Sequence, residues 1–186
     1  MNIPNKLTTI RFITIPLIII ALYIQTAAAA YFALVLLIIA WITDLFDGII
    51  ARKAKLRTKF GAFFDPFVDK ILVSFVFIAM GDLGLIPIWI VILMLFRDYL
   101  TQGIRSMVKA EGIILKSEWS GKIKFILQMT TIVFATFLFA LSFSFSSVKA
   151  WMYLAIFIVM VISTIEAYYA LFEFLYKNRK VMKKWF

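Results

Sequence analysis

Six apolar runs, at residues 12–24, 31–41 continuing towards 50, 62–80, 85–96, 125–145 and 151–175, take up most of the 186-residue chain. A helix needs about 20 apolar residues to cross the hydrocarbon of a bilayer. Backbone polar groups in lipid have to be satisfied within their own segment, so a helix is the expected form of each run. Six transmembrane helices joined by short loops leave no room for a separate soluble domain, and residues 1–186 are expected to form one all-α integral membrane domain. Apolar residues make up 64% of the chain and charged ones 16%, against about 45–50% and about 25% in an average soluble domain. That excludes a soluble enzyme with a single anchor. Before the first run, residues 1–11 carry Pro4, Lys6, Thr8 and Arg11 and read as a short interfacial helix leading into the membrane. The basic start, the apolar run and the alanines at 27–30 also have the outline of a secretory signal peptide, but five more apolar segments follow with no soluble domain to export.

The chain has no Cys and no His. Thiolate nucleophiles, disulfides, His-ligated zinc and imidazole acid–base chemistry are excluded, which leaves carboxylates, amines, hydroxyls and bound ions. A net charge of +10 in a soluble protein would suggest nucleic acid, but here the placement of the charges matters more, and no nucleic-acid partner is expected. If the segments alternate across the bilayer, 19 of the 20 Lys and Arg fall at the N-terminus, between segments two and three, between four and five, and in the tail; only Lys149 lies opposite. The positive-inside rule then puts both termini and both basic loops in the cytoplasm, with any active site on that face of the inner cell membrane. The tail from Lys177 reads as a contact for anionic lipid.

Of ten acidic residues, four are Asp44, Asp47, Asp65 and Asp69, in or against the apolar ends of segments two and three. An Asp well inside a span costs on the order of 2.5–3.5 kcal/mol, so these carboxylates need partners. Asp44 and Asp47 are three apart and Asp65 and Asp69 four apart, so each pair shares a helix face. Two arrangements follow. The pairs can meet across a V and supply hard oxygen ligands to Mg²⁺ or Mn²⁺, or they can pair with Arg52, Lys53 and Lys70 as a salt-bridged interfacial collar. Gly48, Ala51 and Gly61 clear bulk from the same faces, as a closely approaching ligand requires, although small residues also serve helix packing. Arg52 offers a planar fork for phosphate oxygens.

Written out, residues 44–69 read D-x2-D-G-x2-A-R-x8-G-x3-D-x3-D. With eight fixed positions, this stretch resembles the signature of the CDP-alcohol phosphotransferase family. The likeness extends to Asn2-Ile3-Pro4-Asn5-Lys6-Leu7-Thr8-Thr9-Ile10-Arg11, Phe64-Asp65-Pro66, Trp119-Ser120-Gly121-Lys122-Ile123-Lys124 and Gln128-Met129, and so spans nearly the whole chain. Arg97-Asp98 stands where the most similar bacterial branch more often has Arg-Glu, a change that keeps the charge and shortens the reach. The resemblance implies a six-helix membrane enzyme, a homodimer, that uses two divalent ions, Mg²⁺ or Mn²⁺, to displace CMP from CDP-diacylglycerol. It implies metal ligation by Asp44, Asp47, Asp65 and Asp69, with Asp69 also the general base. It further implies CDP-lipid contacts at Gly48, Arg52 and Thr58, and the candidate CDP-lipid set is completed by Asn5, Thr8, Ala51 and Gly61.

The acceptor is read from a second basic cluster, Arg97, Arg105, Lys122 and Lys124, at the cytoplasmic ends of segments four and five. These charges can be topogenic only; as a cluster facing a metal site they suit a phosphorylated acceptor such as glycerol-3-phosphate, or inositol phosphate, better than zwitterionic serine. Glu166, with Tyr168 and Tyr169, lies inside the last span and reads as a protonated or Lys-paired packing residue or as part of a pocket. Two other classes compete with the enzyme. A divalent-cation transporter would set its acids along a mid-bilayer path, whereas these cluster at the cytoplasmic ends. A structural scaffold leaves the small-residue pattern unexplained.

Overall fold

Each apolar run forms a helix: α1 (Ile3–Tyr23), α2 (Ala27–Lys53), α3 (Lys59–Asp82), α4 (Ile88–Ala110), α5 (Trp119–Ser144) and α6 (Ser146–Lys177). The computed structural model describes residues 3–53, 59–110 and 119–179, with their side chains except at 3–7, 45–53, 59–63, 65, 109–110, 119–122, 146, 148 and 150. No strand occurs among the described residues. The expected short interfacial helix is not a separate element, because α1 is continuous from Ile3 to Tyr23. Nothing between Lys6 and Arg11 breaks a helix, and Pro4 falls in the first turn, where a missing N–H costs nothing.

The connections are short and locally encoded. Thr26 accepts from the Ala29 N–H at 3.3 Å and so caps the start of α2. A left-handed Gly84 (φ 70°) ends α3. The Gly84 N–H donates to the Gly81 carbonyl and the Leu85 N–H to the Met80 carbonyl, at 3.1 and 2.9 Å. This paired closure sets its pivot in the left-handed region, which glycine adopts without strain, and it turns the chain into Pro87 ahead of α4. Between α5 and α6 a single extended residue, Phe145, reverses the chain.

The helices pack in an order that brings distant segments together: α1 on α2 and α3, α2 on α5, α5 on α6, and α4 between α3 and α6. Ile18, Leu37, Phe77, Met94, Ile132 and Met160 fill the core, each fully buried. Buried alanines, among them Ala30, Ala33, Ala135 and Ala140, let the helix axes approach, as in membrane bundles. Each helix also turns large apolar side chains outward: Ile13, Phe32, Phe75, Ile92, Phe137 and Ile165 are all exposed. An all-round apolar exterior suits lipid. Among the described residues three helices hold a stretch long and apolar enough to cross a membrane, at Ala27–Asp44, Ile123–Ser144 and Trp151–Lys177, and α1 has a shorter apolar part, Thr8–Tyr23. In α3 and α4 the charged pairs Asp69–Lys70 and Arg97–Asp98 interrupt the apolar sequence.

A Cβ at Gly81 would meet Ile88 Cδ1 at 2.9 Å and Val91 Cγ2 at 3.4 Å. The Ile88 methyl, the end of a flexible side chain, can give way to alanine. A branched side chain cannot be accommodated so easily, so Gly81→Val is expected to cost on the order of 1–3 kcal/mol by overpacking and Gly81→Ala distinctly less. Thermal unfolding of the two variants in detergent checks this order.

Candidate active site

The site is built where α1, α2 and α3 meet. Arg11, in the third turn of α1, is only 2% exposed. Its Nη1 donates to Asp44 Oδ1 on α2 at 2.9 Å and to Asp69 Oδ1 on α3 at 2.6 Å. One guanidinium nitrogen therefore joins two carboxylates from helices that are remote in sequence. Arginine suits this position because it stays charged, is weakly hydrated and carries several donors in a fixed plane. The carboxylates each keep 22% side-chain exposure against 1% for Arg11, so the cation is the more deeply buried partner. Beside this junction the rings of Phe12 on α1 and Phe64 on α3 pack at 5.8 Å. At its other end α1 is tied to α3 again, by the Tyr23 hydroxyl donating to Asp82 Oδ2 at 2.8 Å. Twelve residues separate Arg11 from Tyr23 and thirteen separate Asp69 from Asp82, close to 18–20 Å of helix in each case. The two polar ties thus hold α1 and α3 in register.

A second polar cluster lies on the other side of α3. Asp98 on α4 is 8% exposed, and around it Arg97 (4%), Lys124 (8%) and Gln128 (2%) are equally buried. Asp98 Oδ1 accepts from Lys124 Nζ and, at 3.2 Å, from Arg97 Nη1. Asp98 Oδ2 accepts from Gln128 Nε2 at 3.1 Å. Lys70, next to Asp69 on α3, reaches across to donate to the Asp98 backbone carbonyl at 3.0 Å. Within α4 the Thr101 Oγ1 donates to the Arg97 carbonyl at 2.9 Å, and the Tyr168 hydroxyl on α6 donates to the Leu93 carbonyl at 3.2 Å, so this stretch of α4 is pinned from α3, α5 and α6. Arg97 Nε and Glu166 Oε2 are buried and have no hydrogen-bond partner among the described residues, and Glu166 lies within electrostatic reach of Arg97 and Lys124.

Of the residues singled out from the sequence, Asp44 and Asp69 are brought together. Asp47, Asp65, Asn5, Gly48, Ala51, Arg52, Thr58, Gly61 and Lys122 lie outside the described residues or have side chains that do. Thr8 is buried on α1, 1% exposed. Arg97 and Lys124 meet at Asp98, whereas Arg105 is exposed, its guanidinium 5.0 Å above the Phe174 ring. Lys70, considered as a partner for the motif acids, bonds instead to Asp98 O. Sequence reasoning gave Arg11 only a topogenic role and gave Asp98 and Gln128 none. Arg11 pairs across 33 and 58 residues, a separation for which helical spacing carries no signal. The one available clue was the placement of Arg11 and the acids at the same end of consecutive spans.

The donor set can be tested against a divalent ion. Among the described residues no three acidic, His or Cys side chains gather, but two of the four motif aspartates do, at one nitrogen. Both offer only carboxylate oxygen, the ligand type that hard Mg²⁺ or Mn²⁺ prefers. The two described motif aspartates fit the group by ligand type.

Removing the shared cation strands two partly buried carboxylates, so Arg11→Met is expected to lower stability by on the order of 3 kcal/mol. Asp44→Asn, which leaves Asp69 on the same nitrogen, is expected to cost less. Unfolding temperatures in detergent with chelator present compare the two.

Residues 1–163 match the family model described as CDP-alcohol phosphatidyltransferase. A protein of Rickettsia felis named CDP-diacylglycerol–glycerol-3-phosphate 3-phosphatidyltransferase is 39% identical over 131 residues, covering 69% of this chain and 71% of its own. One of the same name from Bacillus subtilis is 33% identical over 166 residues, covering 81% and 86%. A probable phosphatidylglycerophosphate synthase of Mycobacterium tuberculosis is 37% identical over 134 residues, covering 70% of this chain and 64% of its own. With the match running through all six helices, from the Arg11 junction to the Asp98 cluster and into α6, this chain belongs to the CDP-alcohol phosphatidyltransferase family of membrane transferases.

Proposed function

We propose that the chain transfers the phosphatidyl group of CDP-diacylglycerol to glycerol-3-phosphate, giving phosphatidylglycerophosphate and CMP. It does so as a six-span homodimer in the inner cell membrane, with both termini and the active site facing the cytoplasm. The observation that carries this reading is the meeting of Asp44 and Asp69 at one point, with the adjacent residue Lys70 linking them to a buried cationic cluster. The names of the relatives support the same substrates, and the cations favour a phosphorylated acceptor.

In this reading Asp44, Asp47, Asp65 and Asp69 hold two divalent ions, Mg²⁺ or Mn²⁺, which when bound neutralise the pyrophosphate oxygens and stabilise the departing CMP. Arg52 adds charge-assisted hydrogen bonds to the phosphates. Asn5, Thr8, Gly48, Ala51, Thr58 and Gly61 admit the CDP-lipid closely against helix backbone. Asp69 takes the proton of the acceptor's primary hydroxyl. The freed oxygen pair attacks the phosphorus that bears diacylglycerol, and the bond from that phosphorus to CMP breaks in line, CMP leaving with the electrons. Arg97, Arg105, Lys122 and Lys124 hold the acceptor's phosphate end, and its charge keeps the hydroxyl oriented towards Asp69.

Release of CMP from CDP-diacylglycerol by the purified protein, with glycerol-3-phosphate, inositol phosphate and serine offered in parallel, tests the acceptor. Glycerol-3-phosphate is expected to support turnover well above the other two, and EDTA is expected to abolish it until Mg²⁺ or Mn²⁺ is restored. Preference for inositol phosphate or serine overturns the acceptor assignment, and full turnover in chelator overturns the two-metal reading. Asp69→Asn keeps size but removes the base and a charged ligand. It is expected to retain less than about a tenth of wild-type kcat while eluting as a folded protein.

A further inference from the structure

We propose that Asp98 is a positioning residue for the acceptor end of the site, acting through Arg97 and Lys124 and not by touching substrate; the inference rests on the acceptor reading above. A carboxylate cannot itself receive an anionic phosphate, and the two oxygens of Asp98 are already occupied by Lys124 and Arg97 on one and Gln128 on the other. All four side chains are buried, with exposures of 2–8%. Long cationic side chains lose much rotameric freedom when a ligand orders them. Here that ordering is already built into the fold, since Asp98 fixes where the guanidinium and the ammonium point before any acceptor arrives.

The cluster is also wired to the reacting end. Lys70 donates to the carbonyl of Asp98 and follows Asp69 directly in α3, so a displacement of α4 at Asp98 is transmitted to the helix that carries Asp69. Lys70, Arg97 and Lys124 all bond to Asp98, and Arg105 lies within electrostatic reach of Lys70. Cations therefore outnumber the one carboxylate they surround, which favours an anion. Arg97 keeps its Nε without a partner among the described residues, so the arginine retains donor capacity beyond its bond to Asp98.

The test uses the full-length protein in detergent micelles containing CDP-diacylglycerol, with steady-state kinetics taken separately in each substrate. Asp98→Asn, which keeps size and removes charge, is expected to raise the KM for glycerol-3-phosphate at least about tenfold while leaving the KM for CDP-diacylglycerol within about twofold. Asp98→Glu restores the charge at a longer reach and is expected to bring the acceptor KM back to within about threefold of wild type. Gln128→Met removes only the Oδ2 donor with no change of charge. It is expected to raise the acceptor KM by about threefold or more, and it decides the matter if Asp98→Asn does not fold. An unchanged acceptor KM in the folded variants, or a parallel loss in both substrates that follows the unfolding temperature, overturns the proposal and makes Asp98 a packing residue. If wild type itself turns over no glycerol-3-phosphate, the acceptor reading fails first, and the positioning role falls with it.

Discussion

The placement of charge inside an apolar bundle governs this structure, and Arg11 is the clearest case. A carboxylate taken out of water costs several kcal/mol unless an opposite charge with good hydrogen-bond geometry accompanies it. Asp44 and Asp69 share one guanidinium nitrogen between them, and that sharing fixes the mutual approach of α1, α2 and α3. Ile18, Leu37 and Phe77 on these helices are fully buried and supply cohesion. The ion pairs add register, because rotating any of the three helices by one residue would separate charge from countercharge. Specificity of arrangement comes from the polar residues and cohesion from the apolar ones.

That division explains which parts of the fold were legible in the sequence. The six helices follow from apolar runs and are found where the runs lie. Their ends follow from local chemistry such as Thr26 and Gly84. The i,i+3 and i,i+4 spacing of the motif acids identified helix faces that belong together, and for Asp44 and Asp69 the faces do meet. What spacing could not supply was the partner. Arg11 and Lys6 look alike in a list of N-terminal basic residues, and only the packing of α1 against α3 sets Arg11 apart. The cation cluster was legible as a cluster, but its anion was not. Asp98, a single acid beside an arginine, is indistinguishable in sequence from a solvated pair until α5 delivers Lys124 and Gln128 one turn apart onto its two oxygens.

α3 joins the two polar centres through consecutive residues. Successive side chains on a helix diverge by about 100°, so Asp69 and Lys70 face different neighbours: Asp69 turns to α1 and α2, Lys70 to α4. One turn of backbone thereby serves both centres, and the distance between them is set by covalent geometry and not by loop conformation. The reaction proposed above needs a proton acceptor and an anion site in fixed relation, and consecutive helix residues are a rigid way to relate two centres, since displacements well under the length of a side chain are enough to lose near-attack geometry.

The same arrangement accounts for which helices are poor membrane spans. α2, α5 and α6 contain long apolar stretches, whereas α3 and α4 carry their charges midway and depend on neighbours to neutralise them. α5 and α6, reversed about the single residue Phe145, pack closely on each other and support both weaker helices, α5 meeting α3 and α6 meeting α4. The polar helices are consequently lined on their inner faces by partners that complete them, while Phe75 and Ile92 remain on their outer faces for lipid. A substitution that deletes one charge in α3 or α4 therefore leaves a second charge uncompensated on an adjacent helix, and its effect spreads across the bundle. An equally large change on the outer face of α2 or α6 meets only an apolar surround, and its consequences stay local.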